Sequence, residues 1–584
     1  MRLPGRVFKQ YPASPAAQAD ILTPHLSSPP ILPVPFTGRR AQRGLWLMLL
    51  VAIVIWCANL EYRKLALSDE GRYSEIPRYM VQSGDWLTPR LNGIKYFEKP
   101  PLQYWTTAAA YEVFGAHHWT ARLWPALTGF LGLLLTFVVG SRLFGRTAGL
   151  YAALVLGSNL LYVGMAHILT LDMGLTFFLT VALAGLLLGL APGADDQTNR
   201  RWVHISAAGC ALAVISKGLI GIVLPGAVVV LYMLVKRDFS ILRRLHLFSG
   251  AVLFLAISAP WFVAVSIANP EFPQFFFIHE HLQRYTSTIH QRYQPWYYFI
   301  VIMVLGMVPW LFTLGSTLIS ASRRNRVAEF DTTLFLLLWS GFIFIFFSAS
   351  GSKLPSYILP IFPALALLIG DYLTRISGRA LALQLLPMAA LGLAGVFAAP
   401  YTTKLATAAI PAELYRAQIP WLLGSAAVML CGCAVAIILS WRNRVAHAVV
   451  ICSFTGLAAV QLLITSEDAL SPAHSTYHLA KKLKPYLEPD VPIYSVGSYE
   501  QTLPFYIQRT MTLVDFQDEM AFGLQHEPNL WVPNIADFEQ RWRRHDFALA
   551  VMGPDKFEEL QLAQFPMQII ARDTERIFVR TLPH

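Results

Sequence analysis

Two adjacent carboxylates, Asp69 and Glu70, stand in the run Leu67-Ser68-Asp69-Glu70-Gly71-Arg72-Tyr73, shortly after a long apolar stretch. A carboxylate at a membrane surface can act as general base towards an incoming hydroxyl or phosphate oxygen. Lys and Arg close by can hold a phosphate and stabilise it as it leaves. Such partners recur along the chain: Gly84-Asp85-Trp86, Tyr96-Phe97-Glu98-Lys99-Pro100-Pro101, Asp172, Lys217, His279-Glu280-His281, Arg284-Tyr285 and Ser352-Lys353-Leu354-Pro355-Ser356-Tyr357. Taken singly, most have ordinary explanations. Asp172 after Thr170-Leu171 suits a helix start. Lys217 could reach out to a membrane interface, and an isolated histidine there is commonplace. The Asp69-Glu70 pair, followed by Arg72 and Tyr73, is not explained by packing.

The elements that must position these groups are membrane spans. Of the 584 residues, 55% are hydrophobic and 14% charged, against about a quarter charged in soluble domains. Uncharged runs of about twenty residues satisfy their backbone polar groups as helices in a bilayer. About thirteen such spans are expected, over 45–60, 121–141, 147–165, 170–190, 202–217, 219–235, 248–268, 297–319, 332–348, 355–373, 380–398, 420–440 and 446–464. Basic loops should face the cytoplasm. With Arg39, Arg40 and Arg43 inside, alternate loops carry Arg142/Arg146, Arg200/Arg201, Lys236/Arg237/Arg243/Arg244, Arg323/Arg324/Arg326, Arg375/Arg379 and Arg442/Arg444. The unusual polar residues then all gather on the outer face, the first three groups of them in a long loop over 61–118. The net charge of +11 is the signature of this topology, and nucleic-acid binding is not indicated. The five cysteines fall inside spans and build neither a disulfide framework nor a metal site.

Three domains follow: a Pro-, Ala- and Ser-rich cytoplasmic arm over 1–43, expected to be disordered, a transmembrane domain over 44–465 that includes loop 61–118, and a soluble outer domain over 466–584. In the last, strand-like runs at 491–496, 511–514, 547–552, 568–571 and 577–580 alternate with helical stretches at 478–487, 501–507 and 535–543. That pattern predicts a small α/β domain. A lipid-linked donor places its phosphate at the membrane surface and its hydrocarbon in the bilayer. A carboxylate base beside a basic phosphate clamp is what sugar transfer from such a donor needs.

The motifs Asp69-Glu70-Gly71-Arg72-Tyr73-Ser74-Glu75-Ile76, Ser83-Gly84-Asp85-Trp86-Leu87-Thr88-Pro89 and Tyr96-Phe97-Glu98-Lys99-Pro100-Pro101-Leu102-Gln103-Tyr104-Trp105 resemble those of the protein O-mannosyltransferase superfamily, with its polytopic GT-C fold. Within it the chain is most similar to the bacterial lipid A aminoarabinose transferases, although Pro101-Leu102-Gln103 departs from the small residues of the enteric pattern. The resemblance implies a multi-pass inner-membrane enzyme, expected as a monomer, whose active site and C-terminal domain face the periplasm. It implies direct, inverting transfer of 4-amino-4-deoxy-L-arabinose from undecaprenyl phosphate to a lipid A phosphate, with polymyxin resistance as the phenotype. By the same resemblance Asp69, assisted by Asp172 and Glu70, is the catalytic group. Lys99, Arg72, Lys217, Arg284, Lys353 and Tyr357 hold phosphates, and Glu98 with His279 could bind a divalent ion such as zinc. The alternatives are a transferase of the same fold that moves another sugar, such as mannose, to protein, glycan or lipid, and a transporter of polyprenyl lipids. A transporter would carry ionic or broken helices at the bilayer midplane.

Overall fold

The computed structural model describes residues 39–283, 294–324 and 330–582. The expected disordered state of the arm, together with Arg284, Tyr285 and Arg326, lies outside them. Residues 47–584 form one compact unit.

Each of the thirteen apolar stretches lies on helix, but they are not thirteen straight rods. Among the described residues, eight helical segments are long and apolar enough to cross a membrane, and two further pairs meet the same test only together. These are Arg146–Leu156 with Leu160–Ala166, bent by 68°, and Tyr298–Gly306 with Leu311–Ser322, bent by 108°. Hydropathy reads composition and is blind to such breaks. The stretch over 202–217 belongs to the more polar helix Asp196–Lys217. It and the 17-residue helix Ile220–Lys236 are separated by the turn at Gly218, whose φ is +98°, so two helices do occur there. Asp172–Leu190 is the central helix, with 89% of its apolar window buried. Leu247–Ala268 and Ala412–Trp441, each with 17% buried, present apolar side chains outward, as lipid contact requires.

Loop 61–118 is ordered. It holds the helix Asp69–Ser83, a two-strand hairpin (β1, Arg90–Leu91; β2, Ile94–Lys95) and the helix Leu102–Phe114. The C-terminal domain carries one sheet of β3 (Ile493–Val496), β4 (Thr512–Val514), β5 (Trp531–Val532), β6 (Leu549–Met552), β7 (Met567–Arg572) and β8 (Ile577–Thr581). The order is β5-β4-β3-β6-β8-β7. The first four strands run parallel, and β8 and β7 complete the sheet antiparallel. All five strand-like runs of the sequence are strands; the two-residue β5 is additional.

The domain is docked on the loop through shared apolar core and through backbone contact. Leu65, Tyr73, Ile76 and Ile94 pack in one cluster with Leu479, Leu503, Phe505 and Leu513. Asn92 donates to the Met511 carbonyl at 2.7 Å and accepts from the Met511 amide at 2.8 Å. Glu527 takes Arg90 at 2.7 Å and the Lys95 amide at 2.9 Å. At Gly71 a Cβ would meet the Gln501 backbone at 2.6 Å. The helix that carries Asp69 therefore touches the C-terminal domain at a point where only glycine fits.

Candidate active site

Asp69 and Glu70 open the same helix, yet successive residues on a helix point about 100° apart. The Asp69 side chain is 41% exposed and that of Glu70 4%. Asp69 borders a cavity of about 900 Å³ together with Arg72, Glu98, Lys99, Asp172, Lys217, His279, Glu280 and Tyr357. Glu70 faces the interior. It accepts from Arg122 Nε at 2.8 Å and Nη2 at 2.7 Å, and from the amides of Ala66 at 3.0 Å and Leu169 at 3.1 Å. The direct catalytic role expected of Glu70 is thus corrected. It is a buried positioning residue, and through Leu169 it ties the segment bearing Asp69 to the segment bearing Asp172.

This arrangement has a pH consequence. Burial by itself raises the Glu70 carboxyl, but Arg122, Arg63 and the Ala66 amide outweigh it and hold the group from 4.5 down to about 2. A depressed folded-state pKa contributes stability that is complete above the unfolded value and disappears as pH falls through the folded one. Stability is therefore expected to drop by roughly 3 kcal/mol between about pH 4.5 and 2. Thermal unfolding in detergent across that window checks it, with Glu70→Gln flattening that part of the profile.

Asp172 is not the cap of its helix: Leu171 holds that position, and Asp172 is the first helical residue. It pairs instead with Lys217, whose Nζ lies 4.8 Å from the centre of the Tyr357 ring. Lys217 is accordingly not a lysine reaching out to solvent. Lys99 lies 3.5 Å from Glu280 and 3.8 Å from Glu98. Arg72 is at the cavity wall, but its guanidinium is engaged by Asp69 at 3.2 Å and by Glu519. Two carboxylates thus share its charge, one of them Asp69 itself. Lys353 is buried and donates to the Gln294 carbonyl at 3.0 Å. It is not part of the cavity lining, whereas Leu354 and Tyr357 are; the loop is present, but Lys353 anchors it.

The cavity continues into an apolar slot of about 240 Å³ between spanning helices, walled by Leu175, Ile220, Val223, Leu224, Phe346 and Phe347. Lys99, Asp172, Lys217, Glu280 and Tyr357 border both spaces. The junction therefore carries two lysines, each ion-paired to a carboxylate, with room for hydrocarbon beneath it. The sequence reading missed the opposite wall. Gln501, Asp518, Glu519, Ala521, Phe522 and Gln525 of the C-terminal domain close the cavity from above, and Phe522 stacks on Phe275 at 4.0 Å. No local motif marks them, and only the acidic pair Asp518-Glu519 offered a signal.

Glu98 and His279 line this cavity, as a shared metal would need. Among the described residues, however, no group of three or more His, Cys, Asp or Glu could hold a metal ion. A catalytic zinc takes three protein ligands. The donor set among the described residues falls short of that.

A many-helix membrane domain with an acidic and basic cavity on one face, an apolar slot leading from it and a small α/β domain above it defines a polytopic protein of the GT-C class. Residues 98–263 match the family model described as dolichyl-phosphate-mannose-protein mannosyltransferase, and residues 479–581 that of the aminoarabinose transferase C-terminal domain. The crystal structure of ArnT from Cupriavidus metallidurans bound to undecaprenyl phosphate superposes with a TM-score of 0.89 at 39% identity, covering 93% of this chain and 98% of that one. An undecaprenyl phosphate-alpha-4-amino-4-deoxy-L-arabinose arabinosyl transferase of Pseudomonas fluorescens is 32% identical over 371 residues, 62% of this chain and 63% of its own length. One from Proteus mirabilis is 34% identical over 346 residues, 58% and 61% of the two chains. In these sequence matches the chain spans somewhat under two thirds of the relatives' length. The chain belongs to the aminoarabinose transferase (ArnT) family.

Proposed function

We propose that this protein transfers 4-amino-4-deoxy-L-arabinose from undecaprenyl phosphate to a phosphate of lipid A, on the periplasmic side of the inner membrane. The observation that carries the reading is the shared border of the polar cavity and the apolar slot at Lys99, Lys217 and Tyr357. The isoprenoid lies in the slot and continues into the bilayer past the outward-facing Val223. Its phosphate meets Lys99 and Lys217. The acceptor phosphate enters beside Asp69, which takes its remaining proton and orients the oxygen for attack. That oxygen bonds to the anomeric carbon while the bond to the donor phosphate breaks on the opposite face, so configuration inverts and undecaprenyl phosphate leaves. Arg72, 3.2 Å from Asp69, offsets the repulsion between its carboxylate and the incoming phosphate. The basic loops, on the side away from the cavity, would face the cytoplasm.

Mass spectrometry of lipid A from cells lacking the protein, with and without the gene restored, tests the proposal. Restoration is expected to add the mass of one or two aminoarabinose groups and to restore polymyxin resistance. Unchanged lipid A in cells that contain undecaprenyl-linked aminoarabinose would overturn the acceptor.

A further inference from the structure

A second polar cavity, of about 330 Å³, lies at the opposite end of the membrane domain. The helices Leu311–Ser322 and Phe362–Leu373 end there, and Thr332–Ala349 begins there. The 18 residues of Thr332–Ala349 put it about 27 Å from the start of the loop that leads to Tyr357. Among the described residues, its border holds the guanidiniums of Arg323, Arg324 and Arg375 and the carboxylate of Asp371. Asp371 is 9% exposed and fixes two of the three: Arg375 reaches it at 2.8 and 2.7 Å, and Arg324 at 3.2 Å. Both arginines still keep about half of their side chains exposed. One carboxylate does not neutralise three guanidiniums, each with five N–H donors, so the cavity retains positive charge and donors. Tyr372 stands on the same border, and its hydroxyl accepts from the Gln384 amide at 3.1 Å, a bond that does not spend its own proton.

Pairing with Asp371 accounts for Arg324 and Arg375 as structural groups, but not for a third arginine beside them. The surface leading to Arg323 is apolar. Phe312, Gly315 and Ile319 are exposed on one stripe of Leu311–Ser322, at spacings of three and four residues, and Arg323 follows Ile319 by four more. A Cβ at Gly315 would meet nothing within 4 Å, so the stripe has a gap between its two large side chains. A soluble anion gains nothing from such a stripe, whereas a phospholipid uses both parts. We infer that this cavity binds an anionic phospholipid in the leaflet opposite the active site. Arg323, Arg324 and Arg375 hold its phosphate, and an acyl chain lies along Phe312, Gly315 and Ile319. Guanidiniums meet phosphate oxygens in paired, charge-assisted hydrogen bonds, and basic pockets between spanning helices suit acidic headgroups. A zwitterionic lipid brings its own cation to the same place and forfeits the charge match.

Native mass spectrometry of the full-length protein in a neutral detergent, titrated with phosphatidylglycerol or phosphatidylcholine, tests this without any measurement of transfer. The wild type is expected to retain phosphatidylglycerol in preference to phosphatidylcholine. Arg323→Gln should weaken phosphatidylglycerol binding about fivefold, and Arg323→Gln with Arg375→Gln about 25-fold, at about fivefold per basic residue near the lipid surface. Phosphatidylcholine retention should stay as it was. Arg324 remains to pair with Asp371 in the double variant, and the single change is at an exposed side chain, so Arg323→Gln carries the test if the double variant does not fold. Arg200→Gln with Arg201→Gln, in another basic loop, should leave binding unchanged. Equal retention of the two lipids by the wild type, unchanged binding in Arg323→Gln, or an equal loss in the Arg200/Arg201 variant would overturn the site. Displacement of the lipid by inorganic phosphate in large excess would make it a site for a soluble anion and overturn the lipid assignment.

Discussion

Asp69→Asn is expected to lower transfer by about 100- to 10 000-fold, the range a positioned general base contributes, while the protein remains folded. The substitution keeps the size of the side chain and an oxygen for the Arg72 contact at 3.2 Å. It removes the negative charge and the proton-accepting power. Because the side chain is 41% exposed, its neutralisation leaves no buried charge unpaired, in contrast to any change at Glu70. The measurement is turnover by purified variant with synthetic donor and lipid A, beside a melting curve in the same detergent. The loss should fall on kcat more than on KM, since the proton moves in the transition state. Wild-type turnover would remove Asp69 from the mechanism.

Arg122→Leu should destabilise the protein by about 3–5 kcal/mol, the usual result of removing one partner of a buried ion pair. Arg122 is fully buried, and all five of its N–H donors are used. Two go to Glu70, and the other three to the carbonyls of Leu60, Arg63 and Lys64 at 3.1, 2.7 and 2.9 Å. Leu fills part of the volume but leaves the Glu70 carboxylate with two backbone amides and no adjoining guanidinium, and three carbonyls without the donors of Arg122. Lysine, with three donors on a single nitrogen, cannot span the same set, so Arg122→Lys should recover only part of the loss. Thermal unfolding and the yield of monodisperse protein report it. The double variant Arg122→Leu with Glu70→Leu should be less destabilised than the sum of the single changes, because no charge is then stranded. Strict additivity would mean that the pair is not the source of the cost.

Much of this site was legible along the chain, and the failures share one cause. Asp69, Lys99, Asp172, Lys217, Glu98, His279 and Tyr357 stand at one cavity because ionic groups at membrane depth are expensive and are kept where they meet partners. A reader of the sequence can therefore notice them one at a time. The reading erred where the direction of a side chain decided its part. Glu70 differs from Asp69 by one helical step and so belongs to the interior. Arg72, three residues on, returns to the Asp69 side and pairs with it. Lys353 lies in the right loop but points to the carbonyl of Gln294.

Composition, hydropathy and the spacing of basic loops determined that this chain crosses a membrane many times, that its polar groups collect on one face and that an α/β domain follows. Each of those properties depends on neighbours in sequence, through the 1.5 Å rise of a helix or the alternation of a strand. The roof of the cavity is of another kind. Gln501, Asp518 and Glu519 lie more than 400 residues beyond Asp69 in the chain and reach it because the C-terminal domain docks on loop 61–118 through Asn92, Glu527 and the gap left by Gly71. Only the tertiary structure decided that wall, because complementarity between two separately folded surfaces leaves no period in either sequence.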